Sequence, residues 1–313
     1  MEIESKLSEL QARGIVSVPY VAEEKPLPVN DRFIGRALLM PSMVRKQQKV
    51  TEFTTASKCF FCSCEDEVLS EREGYKLIAN NFPYVKDQVM VVPVSHRELP
   101  SEDDFMTALN FQRESGLIGI LNLRGSGGSL PDHLHFEFGR ANLPVLQLSS
   151  NQDYIDYYGV PLTTLTDYPG SVLVLQDRNE AKLASNTYTL THTLSDFGLS
   201  FNLIITHDRV LIMPRVAVES RAFPGWSVGG LFLSGIFVPD CRGSLSQDSQ
   251  ALFEFLKERF SFIDADRYKS VIESVTLPEA GVREFINRLH LSFGSNWISS
   301  VSDWGFMKQQ HPV

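Results

Sequence analysis

The stretch Asn122-Leu-Arg-Gly-Ser-Gly-Gly-Ser129, followed after three residues by His133-Leu-His-Phe-Glu-Phe138, decides how the chain is read. Successive side chains of a β-strand point to opposite faces, so His133, His135 and Glu137 share one face and Leu134, Phe136 and Phe138 the other. The apolar face packs. The face with two imidazoles and a carboxylate points at something to be bound or transformed. Glycines just upstream let backbone N–H groups approach an anion closely, because no Cβ covers the backbone there. A Gly/Ser loop that feeds such a strand predicts a phosphate cradle beside a pair of histidines.

Two further segments join this strand. Cys59-Phe-Phe-Cys62 is a CxxC whose spacing lets both sulfurs reach one tetrahedral ion. His96 ends a strand-like run, in Pro93-Val-Ser-His96. Two thiols with His96 and His133 would close a structural zinc site, since closed sites of this kind use four nitrogen and sulfur ligands. Cys64 lies near enough in sequence to compete with Cys62, whereas Cys241 reads as core. His192, on a helix, and His207, in a turn, read as surface positions. Arg140 and Arg215 fit either a phosphate contact or an ordinary surface arginine.

Around this centre the chain alternates short strands and helices. Gly74–Asn80 and Gln88–Val94 read as strands joined by a turn near Pro83. Ser101, with acids in the following turn, opens a helix. Leu117–Leu123 and Leu134–Gly139 complete a first unit. A looser repeat follows: strand 171–175, helix 179–194, strands 201–206 and 210–214, then a glycine-bearing segment at 229–238 suggesting close backbone approach or a bulge. The expected class is therefore α+β, with two related units of antiparallel sheet and helices packed on them. The expected division is an N-terminal extension over 1–54, irregular after a short helix at Ile3–Arg13. A first half follows over 55–150, a second over 151–245, and a helical C-terminal segment over 246–313. No GxGxxG or Walker loop supports a dinucleotide or P-loop reading.

Composition narrows the partners. The 313 residues carry 29 Lys and Arg against 38 Asp and Glu, a formal net charge of −9. A nucleic-acid or anionic-membrane surface needs a basic field, so neither partner is expected. The longest strongly apolar stretch, Val228 to Val238, is too short to span a bilayer, and the charged N-terminus has no secretory apolar core. Four cysteines in a chain of this size do not make a disulfide scaffold. The expectation is a cytoplasmic enzyme, monomeric or homodimeric.

The set CxxC, Asn80-Asn-Phe-Pro-Tyr84, Pro93-Val-Ser-His-Arg-Glu-Leu-Pro100, the Gly/Ser loop and HLHFE resembles the histidine-triad superfamily in its galactose-1-phosphate uridylyltransferase branch. Ser200–Thr206, Val210–Arg215 and Gly229–Gly235 are similar to the C-terminal half of diadenosine tetraphosphate phosphorylases, and the HLHF spelling is closer to GDP-hexose phosphorylases. The resemblance covers roughly residues 55 to 240. It implies two histidine-triad-like units and zinc on Cys59, Cys62, His96 and His133. It makes His135 the nucleophile and implies nucleotide contacts from Asn81, Phe82 and Pro83 and phosphate contacts from Asn122 and Gly128. It implies a nucleotidyltransferase or phosphorylase acting on a nucleotide-activated sugar or a dinucleoside polyphosphate. The reaction would pass through a nucleotidyl-histidine, with phosphate or a sugar phosphate as acceptor. A hydrolase of the same bonds and a non-catalytic nucleotide-binding copy are the rival readings.

Two positions depart from the pattern. Ser129 sits four residues before the first histidine where the family serine sits three before, so its phosphate contact is the weaker assignment. The third motif position holds Glu137 in place of His or Gln. An ionised Glu beside a phosphate is repelled by roughly 4 kcal/mol for unit charges about 4 Å apart at an effective dielectric of about 20. Glu137 would then be protonated, act as a base towards water, or no longer meet phosphate; pairing with Arg140 or Arg124 is the purely structural reading. If Glu137 faces the phosphate, Glu137→Gln is expected to strengthen nucleotide binding.

Overall fold

The computed structural model describes residues 2–46, 59–128, 130, 132–217, 219–220, 228–241, 244, 246 and 248–292. Helix α1 (Glu2–Ala12) leads into strands β1 (Glu23–Pro28) and β2 (Ile34–Leu39). The short turn α2 (Phe60–Ser63) precedes β3 (Val68–Arg72), β4 (Tyr75–Ala79) and β5 (Lys86–Pro93). Helix α3 (Glu102–Ser115) separates these from β6 (Ile118–Asn122) and β7 (Phe136–Arg140). The second run comprises β8 (Ile155–Tyr157), β9 (Val160–Thr164), β10 (Leu173–Gln176), α4 (Glu180–Asp196), β11 (Ser200–Ile205) and β12 (Arg209–Arg215). The short α5 (Gly230–Leu233), β13 (Ile236–Phe237), and helices α6 (Ser249–Phe262), α7 (Ala265–Val275) and α8 (Glu279–Ser292) follow.

Strands β3 to β12 form one ten-stranded sheet in the order β3-β4-β5-β7-β6-β11-β12-β10-β9-β8, with every pairing antiparallel. Read from either edge inward, the order is the same. The first three strands run in sequence, a helix follows, and the last two return with their order exchanged. The fold is thus α+β with antiparallel sheet and packed helices, as the alternation of elements predicts. The two runs meet at β6 and β11, where Asn122 stands opposite Asn202.

Local sequence accounts for the helices. Ser101 accepts from the Asp104 amide while the Asp104 carboxylate accepts from the Ser101 amide, a reciprocal cap that fixes the start of α3. Gly116 closes it in the left-handed conformation. Helices α3 and α4 cover one face of the sheet. Leu134, Phe136 and Phe138 are buried there with Leu121, Leu203 and Ile212. On the other face the second run is covered by residues of β1, β2 and 228–275, with Ile204, Leu211 and Met213 in that second core. Among the described residues, the first run's share of this face near His133 and His135 carries a separate small cluster of Phe61, Cys64, Ile78, Met90 and Val92.

One local expectation is corrected. Residues 15–57 are not irregular throughout, because β1 and β2 pair antiparallel from Glu23–Leu39 to Pro28–Ile34. Pro26 and Pro28 mask the strand pattern, yet proline is tolerated on the edge that β1 occupies. Segment 229–238 forms a helical turn and a two-residue strand parallel to β2. Its glycines do mark close approach, since a Cβ on Gly230 would lie 2.8 Å from Ile120. Ser129 lies outside the described residues.

Candidate functional site

The loop after β5, the turn α2 and the start of the β7 segment converge at one end of the sheet. Cys59, Cys62, His96 and His133 bring their ligand atoms within 4.8 Å of one another. Cys59 Sγ and Cys62 Sγ lie 3.3 and 3.5 Å from His133 Nδ1, and Cys62 Sγ lies 3.3 Å from His96 Nδ1. The four expected ligands are thus brought together and can hold a metal ion. His133 Nε2 lies 2.8 Å from the Pro93 carbonyl. A carbonyl only accepts, so that nitrogen carries the proton and Nδ1 turns its lone pair to the thiols. Burial, outweighing that carbonyl, lowers the His133 pKa and favours the neutral ring. Cys64 does not compete. It is buried against the Phe61 carbonyl, and burial pushes its thiol up to about 11.

His135 is 6% exposed, with Phe61 packed on its ring at 4.6 Å between centroids. Its Nδ1 lies 2.9 Å from the His133 carbonyl. That bond places the proton on Nδ1 and leaves the lone pair on Nε2. The backbone holds the geometry, because the Leu134 amide donates to the Arg97 carbonyl at 2.6 Å and draws the strand away from its ladder before Phe136. Arg97 is itself pinned by a 2.5 Å ion pair to the fully buried Asp104. Burial alone would raise the Asp104 carboxyl. Donors from Ser101, Arg97 and Tyr75 outweigh it and hold the pKa below the usual carboxylate value.

Glu137 faces a solvent-open cleft whose walls include Tyr84, Ile120, Asn122, Gly229 and Phe237. It accepts from Gln88 Nε2 at 2.7 Å and Asn122 Nδ2 at 3.2 Å. Neither arginine proposed as its partner meets it: Arg140 pairs with Asp87 and Glu4, and Arg124 with Glu98 and Asp132. Asn122 Oδ1 in turn accepts from Asn202 Nδ2 at 2.8 Å and the Gly230 amide at 2.7 Å.

The glycine loop is stiff. The Ser126 hydroxyl accepts from the Leu123 amide at 2.6 Å and Ser126 is wholly buried. Gly127 has φ +83°, and a Cβ there would lie 2.3 Å from the Val228 carbonyl oxygen. Gly128 packs on Asn122. Asn81 and Phe82 are buried at 7% and 8% exposure and are not among the residues that wall the cleft. Asn81 donates to Glu67 at 2.8 Å, while its buried Oδ1 has no hydrogen-bond partner among the described residues.

Sequence reasoning missed Gln88 and Asn202. Asn202 interrupts an apolar run, in FNLII, and that interruption is the signal that could have found it; Gln88 follows Lys86 and Asp87 at the start of its strand and gives no such signal. Arg215 is neither on the surface nor set for a phosphate contact. It is 2% exposed and donates to Asn202 Oδ1 at 2.6 Å and to the Val228 carbonyl at 2.6 Å. Burial lowers its pKa to about 10. His192 and His207 are exposed, His192 beside Asp196, and Cys241 is core.

Against known proteins, residues 39–140 match a family described as a domain of unknown function (DUF4922). No curated protein matches the chain. Among solved structures, yeast Ap4A phosphorylase Apa2 in complex with Ap4A is similar at 18% identity and a TM-score of 0.65, over 88% of this chain and 96% of that one. The same enzyme with AMP gives 18% identity and a TM-score of 0.63, over 88% and 95%. The chain therefore shares the fold of that phosphorylase. Among the described residues no helix is long and apolar enough to cross a membrane.

Proposed function

We propose that the protein is a nucleotidyltransferase of the phosphorylase type, acting on a dinucleoside polyphosphate or a nucleotide-activated sugar through His135. The observation that carries this reading is the bond from His135 Nδ1 to the His133 carbonyl, which leaves the lone pair on Nε2, two residues before Glu137 in the cleft wall. In the first step Nε2 forms a bond to the α-phosphorus and the bond to the bridging oxygen breaks. The leaving group departs as a nucleoside polyphosphate or a sugar 1-phosphate, and the proton stays on Nδ1, donated to the His133 carbonyl. In the second step an oxygen of inorganic phosphate or a sugar phosphate attacks phosphorus, the P–N bond breaks, and the neutral imidazole returns. The Gly125–Gly128 loop and Asn122 serve to position the phosphates. The unmatched Asn81 Oδ1 offers an acceptor to a nucleotide hydroxyl or amine next to Phe82. Ser129 belongs to the same proposed loop contacts.

Zinc fits the donor set. With metal–sulfur and metal–nitrogen distances of about 2.3 and 2.0–2.1 Å, tetrahedral ligands of the two kinds stand about 3.5–3.6 Å apart. The observed 3.3–3.5 Å separations are close to that edge. Zinc would act as a structural crosslink held by Cys59, Cys62, His96 and His133. We read the repeated strand order as a duplicated histidine-triad-like unit and place the enzyme in the cytoplasm.

The test is incubation with Ap4A, with GDP-hexose and with UDP-hexose, each with and without inorganic phosphate. Phosphate-dependent release of nucleoside diphosphate is the expected result. Phosphate-independent release would make the protein a hydrolase, and binding without turnover a non-catalytic nucleotide-binding protein.

A further inference from the structure

The polar side chains on either side of Glu137 form hydrogen bonds of fixed direction. From them we infer that position 137 is built for an ionised carboxylate, with Asn202 and Arg215 of the second run acting as positioning residues that impose it. A guanidinium has donors and no acceptor. Arg215 gives one N–H to Asn202 Oδ1 at 2.6 Å, so the Asn202 amide nitrogen must point the other way. It does, donating to Asn122 Oδ1 and to the Ser126 carbonyl, each at 2.8 Å. Asn122 Oδ1 also takes the Gly230 amide at 2.7 Å, a backbone donor that cannot reverse. The only group Asn122 can show Glu137 is therefore its NH2, at 3.2 Å.

The opposite side is locked in the same sense. The Tyr84 amide donates to Gln88 Oε1 at 2.7 Å, which turns Gln88 Nε2 to the second Glu137 oxygen at 2.7 Å. Position 137 thus stands between two donors that cannot turn round. A carboxylate accepts from both. A glutamine, with one oxygen and one NH2, must set its NH2 against a donor. The locked donors therefore favour Glu over Gln in the third place of the HxHxE strand, and they fix an anion at the cleft.

A mutant cycle on the full-length protein tests this, and its activity arm alone rests on the proposed transfer reaction. Glu137→Gln should lower the melting temperature by about 2–4 °C, the scale for losing one charge-assisted hydrogen bond in a chain of this size. In an Asn202→Ala background, which adds no charge, Asn122 loses one of the two donors that hold its oxygen, so turning it to the new amide is opposed by the Gly230 amide alone and the same change should cost less. With Ap4A and phosphate, Glu137→Gln should reduce kcat/KM about tenfold, opposite to the gain expected if this position faced a phosphate oxygen. A crystal structure of Glu137→Gln should show residue 137 parted from Asn122 or Gln88 by more than about 3.5 Å; this reading holds even if Asn202→Ala fails to fold. Equal melting losses in both backgrounds, no loss, or retention of both contacts in the Gln variant would overturn the inference. Absence of turnover in the unsubstituted protein would sink the proposed function and leave the melting and crystallographic arms to judge this one.

Discussion

His135 Nδ1–H donates to the carbonyl two residues back, so a main-chain atom sets which nitrogen keeps the lone pair. Removing the ring should remove chemistry rather than fold. His135→Ala is expected to lower turnover at least about a thousandfold, to abolish any acid-labile nucleotidyl adduct, and to keep a native circular dichroism spectrum. Adduct formation in that variant, followed with α-labelled nucleotide, would show that another residue is the nucleophile. Cys59 makes the complementary case. Structural metal binding is folding free energy. Cys59→Ser should therefore lose the roughly one zinc per chain expected by metal analysis and drop the melting temperature by at least about 5 °C. Residual activity per folded molecule should change far less, because Cys59 meets His133 and not the nucleophile. Purified protein that contains no zinc would end that assignment.

At the scale of single elements, the start of α3 steadies the site from outside it. Asp104 caps the helix, pairs with Arg97, and through the Arg97 carbonyl bears on the Leu134 amide between the two motif histidines. Its folded pKa lies below the ordinary carboxylate value. The stability it contributes is therefore full above about pH 4 and is lost as pH falls through the folded value. Asp104→Asn should cost about 2–3 kcal/mol at pH 7. Its deficit against the parent protein should shrink in urea titrations carried below pH 4, and a deficit constant down to pH 2 would contradict the ion pair. The glycine loop offers a backbone counterpart. Gly127 has a positive φ, and the atoms a Cβ would meet are the Val228 carbonyl and the Gly229 amide nitrogen, not a flexible side-chain tip. Gly127→Ala should lose about 1–3 kcal/mol from the strained conformation alone, measured as a shift in the urea midpoint, with phosphate affinity falling as the loop moves.

For the whole molecule, one sheet runs unbroken through both runs of strands, and its middle is the β6–β11 ladder. Leu121 and Leu203 pair across that junction and lie in the same core as α3 and α4 side chains. Neither run closes its own sheet edge there, and an exposed interior strand is a poor surface to leave in water. The described residues should unfold as one unit. Calorimetry and far-ultraviolet circular dichroism are expected to report a single coincident transition, and two resolved transitions would mean that the junction carries little stability.

Much of the site was readable from residue type and spacing. Period-two alternation put His133, His135 and Glu137 on one face, and the CxxC with two strand-end histidines named the four ligands that the fold gathers. These are local or chemical regularities, and a chain expresses them wherever it folds. The strands in 23–39 escaped notice because proline hid their alternation. How the groups around Glu137 are oriented was not readable. Gln88, Asn202, Arg215 and the Gly230 amide come from four separate segments, and their meaning lies in which end of each amide points inward. Donor direction is a property of partners brought together across 80 and 108 residues of sequence, so only tertiary structure decides it.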